Sequence, residues 1–233
     1  MLKVLIIIPA YNEAGSIQKV VEGLSRVCPG YNYLVVNDGS RDETAAVCRK
    51  NGYHLLDLPV NVGLAGVMQA GFRYAYDNGY DCALQFDGDG QHQPQYIEGM
   101  CRRMEECGAD IVIGSRFAQK KKPNSLRMAG SRLIQDMIRI TTGKTIKDPT
   151  SGMRLFNRAM MERFAYTMNY GPEPDTISYL LRCGSRVEEV QVEMRERETG
   201  ESYLNAGRAV RYMLQMCLSI VVIQAFRRRE GMR

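Results

Sequence analysis

Two carboxylates stand close together in the segment from Leu84 to Pro94, directly after an apolar run. The run from Cys82 to Phe86 predicts a buried strand, and Asp87 and Asp89 follow it. Because alternate side chains of an extended chain point the same way, both carboxylates should converge beyond the strand end, with the amide oxygen of Gln91 beside them. Oxygen ligands suit Mg²⁺ or Mn²⁺, so Asp87, Asp89 and Gln91 are candidate metal ligands.

An Asp-x-Asp sequence alone is weak support for a metal site, because Asp-Gly pairs are also common in solvated turns. Here the motif follows a strand and is extended by Gln91 and His92, with Pro94 soon after. This combination favours metal binding over a solvated turn. For His92 two interpretations stay open: a neighbour that orients a metal ligand, or an ordinary loop residue.

Units of strand, polar loop and helix precede this motif. The predicted strands are residues 3–8, 33–36 and 54–58. The first two show no alternation of apolar and polar residues, which is typical of strands that a parallel sheet buries on both faces. Helical spacing follows the polar loops, as in residues 16–24. The repetition predicts an α/β sheet with its functional site at the carboxyl ends of the strands.

Short motifs are spread along most of the chain, roughly over residues 3–203. They are Pro9-Ala-Tyr-Asn-Glu13, Asn37-Asp-Gly-Ser40, Asn61-x-Gly63, Asp87-x-Asp89-x-Gln91-His92, Ile113-Gly-Ser-Arg116, Arg127 with Ser131, Asp148-Pro-Thr-Ser-Gly152 and Arg197-x-x-Gly200-x-Ser202. In this order the set resembles family 2 glycosyltransferases, and within them the polyprenyl-phosphate sugar transferases of the dolichol-phosphate mannosyltransferase type. The resemblance implies a GT-A (Rossmann-like) α/β fold, with a mixed, mostly parallel sheet flanked by helices and a C-terminal helical extension.

The resemblance places the nucleotide-sugar donor against the first two loops and the metal motif. Tyr11 offers a ring on which a nucleobase can stack, and Asp38 offers a carboxylate for a base N–H. Glu13 is placed to bind the ribose hydroxyls. The alternatives that involve no ligand are a half-buried loop aromatic for Tyr11 and a turn-stabilising role for Asp38. The complete predicted donor set is Pro9, Tyr11, Glu13, Asp38, Gly39, Gly66, Asp87 and Gly88, with the glycines allowing close backbone approach.

Three arginines fall in segments that match the family. Arg116, Arg127 and Arg197 are candidate phosphate ligands, because a guanidinium binds phosphate through two parallel hydrogen bonds. Ser131 and Ser202 are weaker candidates for the same role. The alternative for each arginine is a solvated surface charge, since the chain holds 31 Lys and Arg residues.

The nature of the acceptor decides whether the reaction needs a base. A sugar hydroxyl must lose its proton to a carboxylate, whereas a phosphate is already ionised and needs mainly positioning. Candidate catalytic carboxylates are Asp89, Asp148, Glu173 and Asp175. The segment from Glu173 to Asp175 departs from the mannosyltransferase pattern, and Tyr203 stands where a lysine often follows the serine.

These motifs predict an inverting, metal-dependent transfer of a hexose-type sugar from a nucleotide-diphosphate sugar, UDP favoured over GDP, to a polyprenyl phosphate. One alternative is transfer to a hydroxyl of a lipid-linked or cell-surface polysaccharide. A sugar nucleotidylyltransferase would need a Gly-rich loop with Arg and Lys after the first strand, and residues 9–13 lack it. A non-catalytic binding protein is disfavoured by the intact metal motif and the arginines.

Composition agrees with one enzyme domain. The 233 residues carry a net charge of +5, and no basic patch with interleaved aromatics or known module predicts nucleic-acid binding. The seven cysteines are odd in number and lack metal-site spacing, as expected for reduced thiols in the cytosol.

The C-terminal segment is predicted to be a separate functional part. We expect residues 1–209 to form the glycosyltransferase domain and residues 210–233 an apolar helix with a basic tail. The apolar run from Tyr212 to Phe226 is too short to span a bilayer, and Arg227-Arg-Arg229 follows it. One interpretation is burial on the protein's own core. The favoured one is binding to the inner face of the cell membrane, to a small membrane protein or to a second copy.

Overall fold

The computed structural model describes residues 2–195 and 206–223, with the backbone alone at 126–127, 206–210 and 223. A single sheet of seven strands runs through this part of the chain. The strands are β1 (Val4–Ala10), β2 (Asn32–Asn37), β3 (Leu55–Asp57), β4 (Cys82–Gln85), β5 (Ile111–Ser115), β6 (Arg154–Asn157) and β7 (Val187–Gln191).

The strand order is β3-β2-β1-β4-β6-β5-β7. The β1–β2, β1–β4, β2–β3 and β5–β7 pairs are parallel, whereas β6 is antiparallel to both of its neighbours. The predicted mixed, mostly parallel sheet is therefore confirmed. Because β1, β2 and β4 are parallel neighbours, the loops that follow them meet at one edge of the sheet.

Helices cover both faces of the sheet. They are α1 (Ile17–Val27), α2 (Thr44–Lys50), α3 (Gly63–Asp77), α4 (Ile97–Cys107), α5 (Leu126–Thr142), α6 (Arg158–Glu162), α7 (Pro174–Arg182) and α8 (Ala206–Leu218). A 3₁₀ turn, Pro94–Tyr96, precedes α4, and π-helical turns extend α6 through Arg163–Thr167 and α8 through Ser219–Ile223.

The first strand shows why its sequence is apolar throughout. Leu5 and Ile7 belong to the core on the side of α3, α5, α6, α7 and α8, and Val4, Ile6 and Ile8 belong to the core on the side of α1, α2 and α4. Successive side chains point to opposite faces, so a strand covered on both sides needs an apolar residue at every position.

Local capping sets the bounds of α5, and residues 126–142 carry helical spacing in the sequence over the same span. Ser125 lies before the helix, and its hydroxyl accepts a hydrogen bond from the backbone N–H of Met128 at 3.3 Å. Gly143 ends the helix with a φ of 70°, a left-handed conformation that favours glycine. By contrast, β6 was not predicted as a strand.

The C-terminal helix packs on the domain. Met216 and Ile220 are buried in the core on the side of α5 and α7. The outward side leaves Leu214 and Leu218 exposed. Burial on the protein's own core is thus correct for one side of this helix, and the predicted boundary at 209/210 falls inside α8. Among the described helices, none is long and apolar enough to cross a membrane.

Candidate active site

A cleft opens at the carboxyl ends of β1, β2 and β4. Its volume is about 570 Å³. It is lined by Pro9, Ala10, Tyr11, Asn12, Glu13, Asp38, Asn61, Gly63, Leu64, Val67, Asp87, Gly88 and Asp89. The structure therefore brings together most of the residues predicted to bind the donor, from strands far apart in sequence.

The loops after β1 and β2 are joined by side-chain hydrogen bonds. The backbone N–H of Asn12 donates to the Ser40 hydroxyl at 2.9 Å, and the Asn12 side-chain oxygen accepts from the Arg41 N–H at 2.9 Å. The N–H of Glu13 donates to the Thr44 hydroxyl at 2.9 Å. Asn12 has a φ of 57°, a conformation that asparagine tolerates better than most residues. These bonds fix the floor of the cleft.

Gly39 is required by the close approach of two loops. Its φ is 61°, and a Cβ at this position would lie 2.7 Å from the carbonyl carbon of Val60. No other residue fits without moving the backbone of the loop that leads into α3. Gly88 has a similar constraint, since its Cβ would lie 2.9 Å from the Pro9 carbonyl oxygen.

Asp38 is buried and holds the start of α3. One carboxylate oxygen accepts the N–H of Val62 at 2.7 Å and the other accepts the N–H of Gly63 at 3.0 Å. The turn-stabilising role is therefore present in the structure. Each oxygen keeps a second lone pair, so the carboxylate can still accept a hydrogen bond from a base within the cleft.

The remaining donor candidates differ in their surroundings. Glu13 accepts a hydrogen bond from the Ser16 hydroxyl at 2.6 Å while lining the cleft, and Tyr11 is half-buried beside it. Gly66 lies in the first turn of α3, where a Cβ would meet the Val62 side chain at 2.7 Å. This contact explains the glycine by packing, without any ligand.

Asp87 is held by neighbours on several sides. One carboxylate oxygen accepts from the Gln85 amide at 3.2 Å. The other lies 3.6 Å from Nε2 of His92, and it would be 2.6 Å from a Cβ at Gly152. His92 is buried, and its Nδ1 accepts the backbone N–H of Asp87 at 3.0 Å, so the neutral ring carries its proton on Nε2, facing the carboxylate. The His92 ring thus fixes the backbone at Asp87 and lies beside its carboxylate.

Asp89 and Gln91 complete the predicted metal motif. Asp89 accepts the Gln91 backbone N–H at 3.0 Å, whereas the Gln91 side-chain amide donates to the carbonyl of Arg195 at 3.3 Å. Two cleft-lining carboxylates fit a hard cation whose other positions are taken by water or phosphate oxygens. Among the described residues there is no group of three or more His, Cys, Asp or Glu side chains arranged as a metal cage.

Arg116 and Asp148 are bonded to each other. Nε and Nη2 of Arg116 donate to the two carboxylate oxygens at 2.7 and 2.8 Å, and its backbone N–H donates at 3.0 Å. Asp148 is fully buried, and Glu189 accepts its backbone N–H at 2.8 Å. In this structure both oxygens of Asp148 and two guanidinium nitrogens of Arg116 are engaged with each other. The roles of Asp148 as a base and of Arg116 as a phosphate ligand stay predictions.

Glu173 and Asp175 contact α8. Glu173 accepts a hydrogen bond from the Tyr212 hydroxyl at 2.5 Å, and Asp175 accepts one from the Ser219 hydroxyl at 2.6 Å. Burial, together with the Glu173 charge, raises the pKa of Tyr212, so its hydroxyl stays protonated and donates. Both predicted bases thus serve as anchors for the C-terminal helix.

A basic recess of about 770 Å³ lies between α5 and the segment before it. Its basic residues outnumber its one acid, and the lining is Phe117, Lys120, Lys121, Lys122, Pro123, Asn124, Arg132, Gln135, Asp136, Thr145 and Lys147. Ser131 is buried beside it and accepts from the Lys122 ammonium at 3.0 Å. Burial lowers the pKa of Lys122. Arg197 and Ser202 lie outside the described residues, as does the side chain of Arg127.

Three residues close to the predicted site were not singled out by any sequence motif: Gln85, Lys122 and Arg154. Arg154 was the most conspicuous signal, because a charged residue interrupts the apolar run from Met153 to Phe156. It is buried within the sheet and donates to the Pro149 carbonyl at 2.7 Å.

The fold and its paired carboxylates define a glycosyltransferase of the GT-A class. Residues 5–164 match glycosyl transferase family 2, and the chain belongs to this family. The undecaprenyl-phosphate mannosyltransferase of Micrococcus luteus is 33% identical over 222 residues, covering 88% of this chain and 89% of that protein. The polyprenol monophosphomannose synthase of Mycolicibacterium smegmatis is 28% identical over 218 residues, covering 88% and 82%.

Solved structures agree on the architecture. The glucosyl-3-phosphoglycerate synthase of Mycobacterium tuberculosis, in complex with Mn²⁺, UDP and glucosyl-3-phosphoglycerate, superposes with a TM-score of 0.71. The match covers 94% of this chain and 80% of that chain, at 15% identity. The predicted family and fold class are therefore confirmed.

Proposed function

We propose that this enzyme transfers a hexose-type sugar, with inversion, from a nucleotide-diphosphate sugar to a polyprenyl phosphate. UDP is favoured over GDP as the donor nucleotide. The observation that carries the proposal is the cleft in which Tyr11 and Asp38 face Asp87 and Asp89 at the carboxyl ends of parallel strands. The names of the two relatives, an undecaprenyl-phosphate mannosyltransferase and a polyprenol monophosphomannose synthase, support the choice of lipid.

Different cleft residues bind different parts of the donor. Tyr11 provides a stacking surface for the base, Asp38 an acceptor for a base N–H, and Glu13 an acceptor for ribose hydroxyls. Asp87 and Asp89 would hold Mg²⁺ or Mn²⁺, which neutralises negative charge on the leaving nucleoside diphosphate. The Mn²⁺ and UDP bound to the mycobacterial synthase of the same fold support this assignment.

The engagement of three candidate bases by internal partners supports a phosphate acceptor, most strongly at Asp148, where both carboxylate oxygens are bound by Arg116. Asp148 is engaged by Arg116, Glu173 by Tyr212 and Asp175 by Ser219. A hydroxyl acceptor would require one of them to take up a proton, whereas a phosphate oxygen attacks as an anion. The new bond joins that oxygen to the anomeric carbon from the face opposite the diphosphate, which departs as the nucleoside diphosphate.

The basic recess is the place we assign to the acceptor phosphate. Lys122 and Arg132 line it, and Ser131 lies at its edge. Arg127 belongs to the first turn of α5. Arg127, Arg197 and Ser202 remain candidate phosphate ligands alongside these residues, since guanidinium and hydroxyl groups both bind phosphate oxygens.

A donor panel tests this function. The enzyme is incubated with UDP- and GDP-hexoses, polyprenyl phosphate and Mn²⁺, and the lipid fraction is analysed by mass spectrometry. We expect a polyprenyl-phosphate hexose from a UDP-sugar, no product in EDTA, and an anomeric configuration opposite to that of the donor by NMR. No lipid product from any donor, or retention of configuration, would contradict the proposal.

The exposed side of α8 supports a peripheral site at the inner face of the cell membrane. Leu214 and Leu218 are 62% and 60% exposed, and Val221 and Val222 are 45% and 43% exposed. Arg211 is exposed at the same helix. An apolar surface bordered by cations fits an anionic headgroup layer. A small membrane-protein partner, or a second copy, would use the same surface.

Surface substitutions test this location without removing the buried side of α8. The double variant Leu214→Glu and Leu218→Glu should stop co-sedimentation with phosphatidylglycerol vesicles and leave nucleotide binding intact. Val27→Glu, at an exposed apolar position on α1, is the matched control. Wild-type protein that does not sediment with the vesicles would exclude direct lipid binding and favour a protein partner.

A further inference from the structure

Two unsatisfied polar atoms lie together beneath the metal motif. Within the described part of the chain, the buried side-chain atoms without a hydrogen-bond partner are Oε1 of Gln85 and Nε of Arg154. One is an acceptor and the other a donor. Nearly all buried polar groups in proteins are hydrogen-bonded, so an unsatisfied pair at one place calls for a physical reason.

The two residues are partners across the sheet. Gln85 of β4 lies opposite Arg154 of β6 in the antiparallel register. Directly opposed residues point to the same face of a sheet, and here the neighbouring Ala83 and Phe156 assign that face to the core under α3 and α7. By the same alternation, Asp87 follows Gln85 on this face. Gln85 and Arg154 thus form a polar layer between the apolar core and Asp87.

Arg154 is a buried cation among carboxylates. Its side chain is 3% exposed, and Nη2 donates to the Pro149 carbonyl at 2.7 Å. Burial lowers the pKa of Arg154, and the charges of Glu173, Asp148 and Asp87 oppose that effect. The buried charge of Arg154 is thus surrounded by the carboxylates of Glu173, Asp148 and Asp87.

Both members of this layer reach the carboxylate of Asp87. Gln85 donates directly to one oxygen at 3.2 Å. Arg154 acts through the loop that it fixes at Pro149, since this loop continues to Gly152, which packs against the other oxygen. Any side chain larger than hydrogen at Gly152 would collide with Asp87 at 2.6 Å.

We propose that Gln85 and Arg154 are positioning residues that hold Asp87 in its metal-binding orientation from inside the sheet. The inference rests on the proposed function, because it concerns the same metal site. Neither residue lines the cleft, so their effect is on the geometry of the carboxylate. The open Nε–H and Oε1 leave room for a small mutual adjustment, or for one bridging water, when the cation binds.

The test compares metal affinity in four variants of the full chain. Gln85→Met removes the amide at nearly constant volume. Arg154→Lys keeps the positive charge without the planar guanidinium, and Arg154→Met removes both the charge and the guanidinium. Arg158→Met is the matched control, since Arg158 also donates to a backbone carbonyl, that of Tyr80, but at the other end of β6. Calorimetry measures UDP binding as a function of Mn²⁺ concentration, and binding in EDTA and the melting temperature are recorded alongside.

We expect Gln85→Met and Arg154→Lys to raise the half-saturating Mn²⁺ concentration about tenfold or more, without changing UDP affinity in EDTA. Arg158→Met should behave as wild type. An unchanged Mn²⁺ requirement in Gln85→Met and Arg154→Lys would overturn the inference. Tighter Mn²⁺ binding in Arg154→Met would also overturn it, because Arg154 would then merely repel the cation. If Arg154→Met does not fold, the half-saturating Mn²⁺ concentration of Gln85→Met decides whether the inference holds. Wild-type protein that binds neither UDP nor GDP with Mn²⁺ would instead refute the proposed function.

Discussion

We call the cleft loops with Asp87 and Asp89 the donor side, and the segments around Asp148 and Glu173 the acceptor side, after the roles proposed for them. The two regions use their polar residues in opposite ways. On the donor side, Asp87 and Asp89 keep part of their carboxylate surface in an open cleft. On the acceptor side, Asp148 is fully buried under Arg116, and Glu173 accepts the hydroxyl of Tyr212. One side presents charge to a ligand, and the other uses charge to hold the fold.

This difference bears on the chemistry. The proposed donor is a nucleoside-diphosphate sugar held through a cation, so open carboxylates are needed on the donor side. A general base is needed only when the acceptor is a hydroxyl. Carboxylates engaged by internal partners are therefore compatible with an acceptor that arrives already ionised, as a phosphate does.

The largest expected effect is on the donor side. Asp89→Ala should lower turnover about a thousandfold, because the diphosphate loses the cation that neutralises its charge. Nucleotide affinity in Mn²⁺ should fall, while the melting temperature stays close to that of wild type, since a loop carboxylate contributes little packing. Steady-state kinetics and calorimetry measure both.

The matched control for Asp89 is a carboxylate at the opposite end of the same strand. Asp81 precedes β4 and accepts the Lys3 N–H at 2.7 Å, far from the cleft. Asp81→Ala should leave turnover within about twofold of wild type, as expected for a surface substitution away from the site. Full activity of Asp89→Ala, or of wild type in EDTA, would show that the reaction does not require a metal ion.

On the acceptor side the largest effect should be on stability. Arg116→Met leaves the fully buried Asp148 without its bidentate partner, and we expect a loss of about 3 kcal/mol in the free energy of unfolding. Urea denaturation provides the measurement. Arg49→Met is the control, because Arg49 forms an exposed pair with Asp57 that should contribute at most about 1 kcal/mol. Equal losses in the two variants would show that the Arg116–Asp148 pair has no special structural role.

A glycine comparison tests how tightly the donor loops pack. Gly39 and Gly52 have φ values of 61° and 67°, but only Gly39 has backbone atoms within 3 Å of its Cβ position. Both alanine variants carry the left-handed strain of about 1–2 kcal/mol. Gly39→Ala should lose at least about 1 kcal/mol more by denaturation, and its nucleotide affinity should fall. Similar losses in the free energy of unfolding for both variants would mean that the loop carrying Gly39 can move away from Val60 at little cost.

The smallest expected effect concerns Glu173. With a phosphate acceptor, Glu173→Gln should lower kcat less than about tenfold, whereas loss of a general base costs about 10²- to 10⁴-fold. Tyr212→Phe should lower stability by about 1–3 kcal/mol, because it leaves the Glu173 carboxylate without its donor. A thousandfold loss of kcat in Glu173→Gln, with the fold intact, would identify a base and favour a hydroxyl acceptor.

The donor side was predictable from sequence because its elements are local. Strands buried on both faces are continuous apolar runs, and the loop that follows each one carries its polar residues in order. Tyr11, Asp38 and Asp89 could therefore be assigned to one edge of a parallel sheet from the sequence pattern alone. The helical spacing of residues 126–142 predicts α5 with its observed ends, and the structure shows Ser125 and Gly143 capping them.

The acceptor side could not be predicted in the same way because its contacts join distant segments. Nothing near Asp148 in the sequence indicates that Arg116 is its partner, or that Tyr212 reaches Glu173. Strand β6 was missed because it is short and begins with a buried arginine, whose environment exists only once the sheet has formed. Which residues face the acceptor lipid stays a prediction.

The central claim is that the acceptor is an ionised phosphate and that no carboxylate base takes part. The most direct measurement is the rate of sugar transfer to polyprenyl phosphate relative to the polyprenol of the same chain length, with Mn²⁺ and the preferred nucleotide sugar. We predict rapid formation of the polyprenyl-phosphate sugar and no transfer to the alcohol. Comparable rates for the two acceptors, or transfer to the alcohol alone, would contradict the account.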